Sequence, residues 1–534
     1  MTHKWIRIIT SVCILSMAAA ANPLPQLFVA SDRCQACHNG LVTTRGEDVS
    51  IGISWRSSMM ANSSRDPYWQ AAIRRETLVH PVAKAVIEDE CSACHMPMAR
   101  YTDKADGNKG TVFDHLPILK QETFLDELAA DGVSCAMCHQ IQKDKLGEKE
   151  SFTAGFVVDT KTPLGERHIF GPFDVDEGRK FLMRSSSQFI PNKAAHIQSS
   201  EFCASCHTLF THALNEKGEL LDEFPEQVPY LEWKHSAYYN SRSCQSCHMP
   251  EVDGEMRIAG VMGKEHEKFS RHIFRGGNFI MPRILNRHRY ELGVAALPQE
   301  LDAAVNRTAG HLETSAANIT IRNAGIKEGR LQAEVWITNL AGHKLPTAYP
   351  SRRAWVHFTV SDRNGQVVFE SGRMNPDGSI AGNDNDRDEN LFEPHFLEIS
   401  SSEDVQIYEP IMADTEGQVT TVLLSAVRYL KDNRLLPDGF GKETADKACA
   451  VHGLAERDAD FSGGGDRVVY TLPVSAAQGP FKIQAELWYQ PIGYRWAHNL
   501  EQQKAAEISR FVSYYNAFAG SSGMILAKAQ ATVE

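Results

Sequence analysis

The sequence predicts a multidomain protein: a mainly α, loop-rich first domain followed by an all-β domain of immunoglobulin-like sandwich architecture. Three observations carry this. At 534 residues the chain is too long for one core. Up to about residue 301 helical periodicity alternates with long loops, and strand patterns are scarce. From about residue 312 the composition turns to alternating β-branched runs separated by turn residues. A composition of 42% hydrophobic and 23% charged residues is that of an ordinary globular protein, not a disordered or fibrous one. The formal charge of −12 argues against nucleic acid as a partner and for a basic or cationic partner surface.

Residues 1–21 read as a signal peptide. Lys4 and Arg7 give the positive start, Ile8 to Met17 the apolar segment, and Ala18 to Ala21 the small residues suited to cleavage before Asn22. Cys13 would leave with it. The apolar run is too short for a comfortable span, and no later stretch reaches about 18 apolar residues. The expectation is an exported protein, periplasmic or at the cell surface, with no integral span after signal removal. Residues 22–301 form the first domain, with helical patterns in DPYWQAAIRRETL, VAKAVIEDE and LKQETFLDELAADG. Residues 302–534 form the sandwich, its strands read in ANITIRN, RLQAEVWITNL, RRAWVHFTVSD, QVVFESG, RVVYTLPV and FKIQAELWYQ. QELDAAVNRTAGHLE is read as a connecting helix, and Asn499 to Phe518 as a helix capping the sandwich.

The chemistry concentrates in the first domain. One pentapeptide pattern occurs five times: CQACH from Cys34 through Cys37 to His38, CSACH from Cys91 through Cys94 to His95, CAMCH from Cys135 through Cys138 to His139, CASCH from Cys203 through Cys206 to His207, and CQSCH from Cys244 through Cys247 to His248. These hold ten of the 12 cysteines; only Cys13 and Cys449 fall outside. Export invites a disulfide reading, but disulfides do not require a histidine behind every pair. A redox dithiol uses one pair. Tetrahedral zinc takes cysteine pairs in twos, and five is odd. Covalent attachment of haem c needs this spacing: two thioether bonds fix the porphyrin, and the next residue is held beneath the iron as proximal ligand. Five covalently bound haems are therefore expected, with His38, His95, His139, His207 and His248 as proximal ligands.

A haem that only passes electrons is closed on its distal face by a second strong ligand, whereas one that works on a small molecule keeps that face open. Outside the motifs, residues 22–301 hold nine further histidines. His80, His196 and His235 stand upstream of the second, fourth and fifth motifs, placed to reach a neighbouring haem. His115 in FDHLP, His168 in RHIFGPF and His272 in RHIFRGGN lie in loop settings, and Gly276 and Gly277 would let backbone approach a macrocycle. His212, His266 and His288, on charged or polar stretches, are weaker candidates, and so are Met59 and Met60. Met96 and Met249 directly follow proximal histidines and cannot reach the opposite face. His343, in NLAGHKLPTAYPSRRAW, sits on a sandwich loop that could insert its imidazole into a haem left open by the first domain. Asp384, Asp386 and Asp388 alternate in GNDNDRDEN, a hard-oxygen pattern suited to calcium but without the full EF-hand loop.

CSACHMPM, DGVSCAMCH, CASCHT, SCQSCHMP and RHIFRGGN make residues 30–290 resemble the multihaem cytochromes c related to cytochrome c-554, with five motifs where that cytochrome has four. NLAGHKLPTAYPSRRAWVHFTV, GNDNDRDENLFEPH and YLKDNRLLPDGF are similar to a C-terminal region attached to such cytochromes in bacteria that respire on metals or sulfur compounds. The resemblance implies electron transfer between periplasmic or extracellular redox partners. It also supports His115, His196, His235, His272 and His343 as distal ligands. The leading expectation is a pentahaem electron carrier with bis-histidine haems. One alternative is an oxidoreductase acting on a nitrogen or sulfur oxyanion at one five-coordinate haem, although the lysine variant of the motif, CxxCK, is absent. The other is self-assembly into a conductive filament.

Overall fold

The Asp66 carboxylate accepts hydrogen bonds from the Tyr68 and Trp69 amides, and Pro67 needs no donor partner at the first turn; together they start the helix Pro67–Val79. Similar local rules start Phe124–Ala130, where Thr123 and Asp126 form a capping box. The structure, a computed structural model, describes residues 26–475 and 478–534, so the expected signal peptide and Cys13 lie outside the described residues. The first part is built from helices such as Lys84–His95, Pro97–Ala105 and Ile280–Arg287, joined by long loops.

It also contains three two-stranded ladders that periodicity did not reveal: Arg167–Gly171 parallel with Phe189–Lys193, Leu209–Leu214 with Leu220–Gln227, and Met256–Arg257 with Glu265–His266. The RHIF segment, read as a loop, is thus a strand. The Arg167 side chain pins it, only 2% exposed and donating to Gln140 Oε1 and the Thr162 carbonyl, each at 2.8 Å. Tertiary contacts override weak local propensity here.

The second part holds a small sheet in the order Val419–Thr420, Pro410–Ala413, Arg428–Asp432, and two larger ones. One runs in the order Val367–Ser371, Arg353–Ser361, Phe481–Gln490, Met524–Val533, with Ile407–Tyr408 also paired to Arg353–Ser361; the other runs Glu398–Ile399, Gly465–Pro473, Arg330–Asn339, Ala317–Lys327. Alternation explains the layering: Leu331, Ala333, Val335 and Ile337 turn inward, while Glu334 and Trp336 between them stay partly exposed. Phe358 of one sheet stacks on Tyr470 of the other, ring centres 3.8 Å apart.

The two parts share one apolar core that runs from Tyr68 and Phe279 to Val356 and Tyr515. The helix Pro298–Ser315 crosses the boundary expected at residue 301. The helix Ala506–Phe518, expected to cap the sandwich, packs against Pro67–Val79, where Phe511 meets Tyr68 at 4.9 Å and Arg74 donates twice to Glu507 at 2.8 and 3.0 Å, while its Tyr515 hydroxyl donates to the Ile492 carbonyl at 3.2 Å just past Phe481–Gln490. No helix among the described residues is long and apolar enough to cross a membrane.

Candidate functional site

Each pentapeptide folds around a helical turn: Asp32–Gln35, Lys84–His95, Cys135–Cys138, Ser200–His207 and Cys244–His248. On a helix, positions i, i+3 and i+4 share a face, so both thiols and the imidazole of each motif project together. No cysteine pair is a disulfide; all eleven described cysteines are free thiols. The motifs gather: the Cys34 and Cys135 thiols lie close enough to influence each other's ionisation, and so do those of Cys203 and Cys244.

The gathered motifs open onto one cavity of about 890 Å³, lined by both cysteines and the histidine of four motifs and by Cys94 of the remaining one. Its walls are largely apolar, with Trp55, Phe156, Phe170 and Phe269 among them. Its charged lining reverses the sign of the chain. Arg33, Arg179, Arg242, Arg275 and Arg352 with Lys264 and Lys268 face only Asp174 and Asp176, in a protein of net charge −12. An apolar chamber with basic groups on its wall suits a flat apolar ligand carrying acidic arms.

The imidazoles show a common tautomer. A carbonyl oxygen can only accept, so Nδ1 donates from His38 to Ile258 (2.6 Å), from His95 to Ser63 (3.0 Å), from His139 to Phe170 (2.6 Å) and from His248 to Arg275 (2.6 Å). The same holds for His272 toward Ser270 (3.0 Å) and His343 toward Lys344 (2.9 Å). In all six the Nε2 lone pair is left for a metal, and the bond at Nδ1 fixes the ring. Desolvation keeps the rings neutral: it pushes His95 and His248 down to about 4 and His272 to about 3. Trp69 stacks on His95, with centres 4.3 Å apart and planes within 4°.

Two of the six face motif histidines. The His139 and His272 rings are 6.4 Å apart with planes 18° from parallel, and the His248 and His343 rings 6.3 Å apart with planes 14° from parallel. Metal–nitrogen bonds of about 2 Å on both sides, plus roughly 1 Å from each nitrogen to its ring centre, give about 6 Å for two imidazoles sharing one metal. The sandwich delivers His343 through a loop held from both parts of the chain. The Lys344 amide donates to Glu232 at 3.1 Å, and the fully buried Lys344 ammonium donates to Asp432 at 2.7 Å and to the Ala450 carbonyl at 3.1 Å. Arg434 bridges Asp432 and Glu232.

His115 is prepared differently. Its Nδ1 donates to Asp126 at 2.7 Å, and its buried Nε2 has no partner among the described residues. A carboxylate behind an imidazole whose other nitrogen is orphaned is a common metal-ligand arrangement. The other expected distal ligands are placed otherwise. His196 donates from Nε2 to the Ile141 carbonyl (2.8 Å), and His235 Nε2 accepts from the Asp446 amide (3.0 Å). His80 Nε2 lies 3.3 Å from the Ser425 hydroxyl, and His168 is exposed on its strand. The His207 ring, alone among the motif imidazoles, has no hydrogen bond among the described residues.

Asp384, Asp386 and Asp388 do not converge on one point. The segment Asp384–Arg387 turns helical, and the carboxylates diverge: Asp386 accepts from Arg353 (2.8 Å) and the Ile380 amide (2.7 Å), Asp384 pairs with Arg387, and Asp388 accepts from the Asn390 amide (2.9 Å). The described acidic and imidazole groups that do converge are His395, Asp458 and Asp466. Both nitrogens of His395 are satisfied there, Nε2 donating to Asp458 and Nδ1 accepting from Gln406 and Asn433, so this is a closed polar network. His311, on the helix past the expected domain boundary, lines the cavity and was not among the sequence candidates.

No protein family and no curated protein matches the chain. Its fold is similar to the crystal structure of a penta-heme cytochrome c552 from Thermochromatium tepidum, with a TM-score of 0.52 over 95% of this chain and 100% of that chain. Identity is 16%, so the likeness is one of fold.

Proposed function

We propose that this is an exported pentahaem c-type cytochrome that carries electrons between redox-protein partners. One observation carries the reading: five imidazoles of one tautomer, those of His38, His139, His248, His272 and His343, and nine of the ten motif thiols line a basic-walled apolar cavity, with two imidazole pairs at the separation a shared metal requires. The ten motif cysteines would hold the porphyrins, and His38, His95, His139, His207 and His248 would be proximal ligands. His272 would stand distal to His139 and His343 distal to His248, with His115 prepared as a further distal ligand. The bound haems would supply one-electron exchange between ferric and ferrous iron. The residues orient: backbone carbonyls lock the rings of His38, His95, His139, His248, His272 and His343, Trp69 braces His95, and the apolar walls limit water.

The oxidoreductase reading has one observation in its favour: the His207 ring, unlike the other motif rings, has no hydrogen bond to hold it among the described residues. A coulometric titration separates the two. The carrier should take up and return about five electrons per chain reversibly, one per motif. It should not consume electrons continuously with nitrite, hydroxylamine or sulfite. Sustained turnover with any of them would replace the carrier reading by the enzyme.

A further inference from the structure

The sandwich contributes more to the cavity than His343. Arg352, in the turn before the strand Arg353–Ser361, and Tyr489, near the end of Phe481–Gln490, both reach the cavity wall, which also includes His207, Gly277 and Asn278. Arg352 spends one bond on its own loop, Nη1 donating to the Thr347 carbonyl at 3.1 Å, and has no carboxylate partner among the described residues. Tyr489 is 2% exposed, yet its hydroxyl makes no hydrogen bond among the described residues. Both groups are therefore donors open to the cavity and left free for a ligand there.

They also converge. A Cβ placed on Gly277 would lie 2.6 Å from the Tyr489 hydroxyl oxygen and 3.3 Å from Arg352 Nη1. The absence of a side chain at 277 therefore leaves both donors room on the same side of this glycine. The pair of glycines in RHIFRGGN was expected to admit a macrocycle; at Gly277 the group admitted is this donor pair. His207 lines the same cavity as this donor pair, which places the pair beside that motif.

We infer that Arg352 and Tyr489 form a clamp for a carboxylate or small oxyanion beside His207. A guanidinium fork plus a hydroxyl donor matches two adjacent anionic oxygens, and an acidic chain that keeps such a cation unpaired has reserved it for an incoming anion. The inference rests on the haem reading. The anion has two sources, a propionate arm of the cofactor or a free oxyanion such as nitrite or sulfite.

The test compares the haem-loaded wild type with Arg352→Gln and Tyr489→Phe, the second removing only the hydroxyl. A haem count comes first: a wild type without haem would sink the haem reading itself and not the clamp. Potentials are then measured without added anion, and spectra are titrated separately with sodium nitrite and sodium sulfite. A cofactor carboxylate predicts that both variants lower the potential of one haem in five, Arg352→Gln by about tenfold in the ferric/ferrous ratio, or about 59 mV for one electron. A free oxyanion predicts a saturable spectral change in the wild type that both variants weaken at least tenfold. If potentials and anion titrations of both variants match the wild type, or only one variant has any effect, the clamp is refuted.

Discussion

Replacing His343 by alanine should turn one haem site in five from six-coordinate to five-coordinate. About one-fifth of the ferric spectrum should become high-spin, and carbon monoxide should bind the reduced protein at about one site per chain. The reason lies in how the loop is held. His343 faces His248 at 6.3 Å, but its loop is fixed by Lys344 and Thr347 through Glu232, Asp432 and the Ala450 carbonyl, none of which needs the imidazole. Alanine therefore deletes the ligand and spares the fold, and added imidazole should restore the low-spin spectrum. His272→Ala should do the same at the His139 site. Alanine at His168, exposed on its strand, should leave the spectrum unchanged. A His343→Ala protein that stays fully low-spin and binds no carbon monoxide would show that another group closes that iron.

Asp432→Ala should destabilise the protein by about 3–5 kcal/mol, the usual consequence of stranding a buried cation. Asp432 is 1% exposed and accepts from Arg434 at 2.8 Å and from Lys344 at 2.7 Å, so its loss leaves two buried charges short of a partner. Desolvation alone would raise this carboxyl, but Arg434 and Lys344 outweigh it and hold the pKa far below the ordinary range. A depressed carboxyl contributes stability that is fully present above the unfolded pKa of about 3.9 and is lost as pH falls below it. Urea unfolding at pH 7 should therefore show the full difference between wild type and variant, and the gap should narrow at pH 3. Because Lys344 follows His343, the variant should also show partial high-spin character, linking the salt bridge to the ligand loop. An equal gap at both pH values would mean that packing, not charge, is what the substitution removes.

The motifs were legible because i, i+3, i+4 spacing carries its own geometry on a helical turn. His343 was legible as an imidazole on a loop between strands, just past Arg330–Asn339, and that loop lines the cavity. His272 could be named but its partner could not, because pairing across more than 130 residues leaves no local trace. What separates His272 and His343 from His196 and His235 is which ring nitrogen meets the backbone, and no sequence pattern encodes that. His115 gained its support from Asp126, eleven residues on, whose visible role was the capping box with Thr123. His311 carried no signal in the sequence, because QELDAAVNRTAGHLE reads as a connecting helix, and that helix continues to Ser315. The alternating aspartates at 384–388 suggested one face of an extended loop; a helical turn from Asn383, whose side chain accepts from the Asn385 amide, sends them apart. The final strand, MILAKAQATV, alternates, but its small alanines gave a weak signal, and its place is set by pairing with Phe481–Gln490.

The mass of the purified, denatured mature protein, read together with its pyridine haemochrome absorbance, addresses the account at its root. Five porphyrins should remain attached through denaturation, one for each of the five motifs. A colourless chain that weighs no more than its polypeptide, or one whose haem is lost on denaturation, would contradict it.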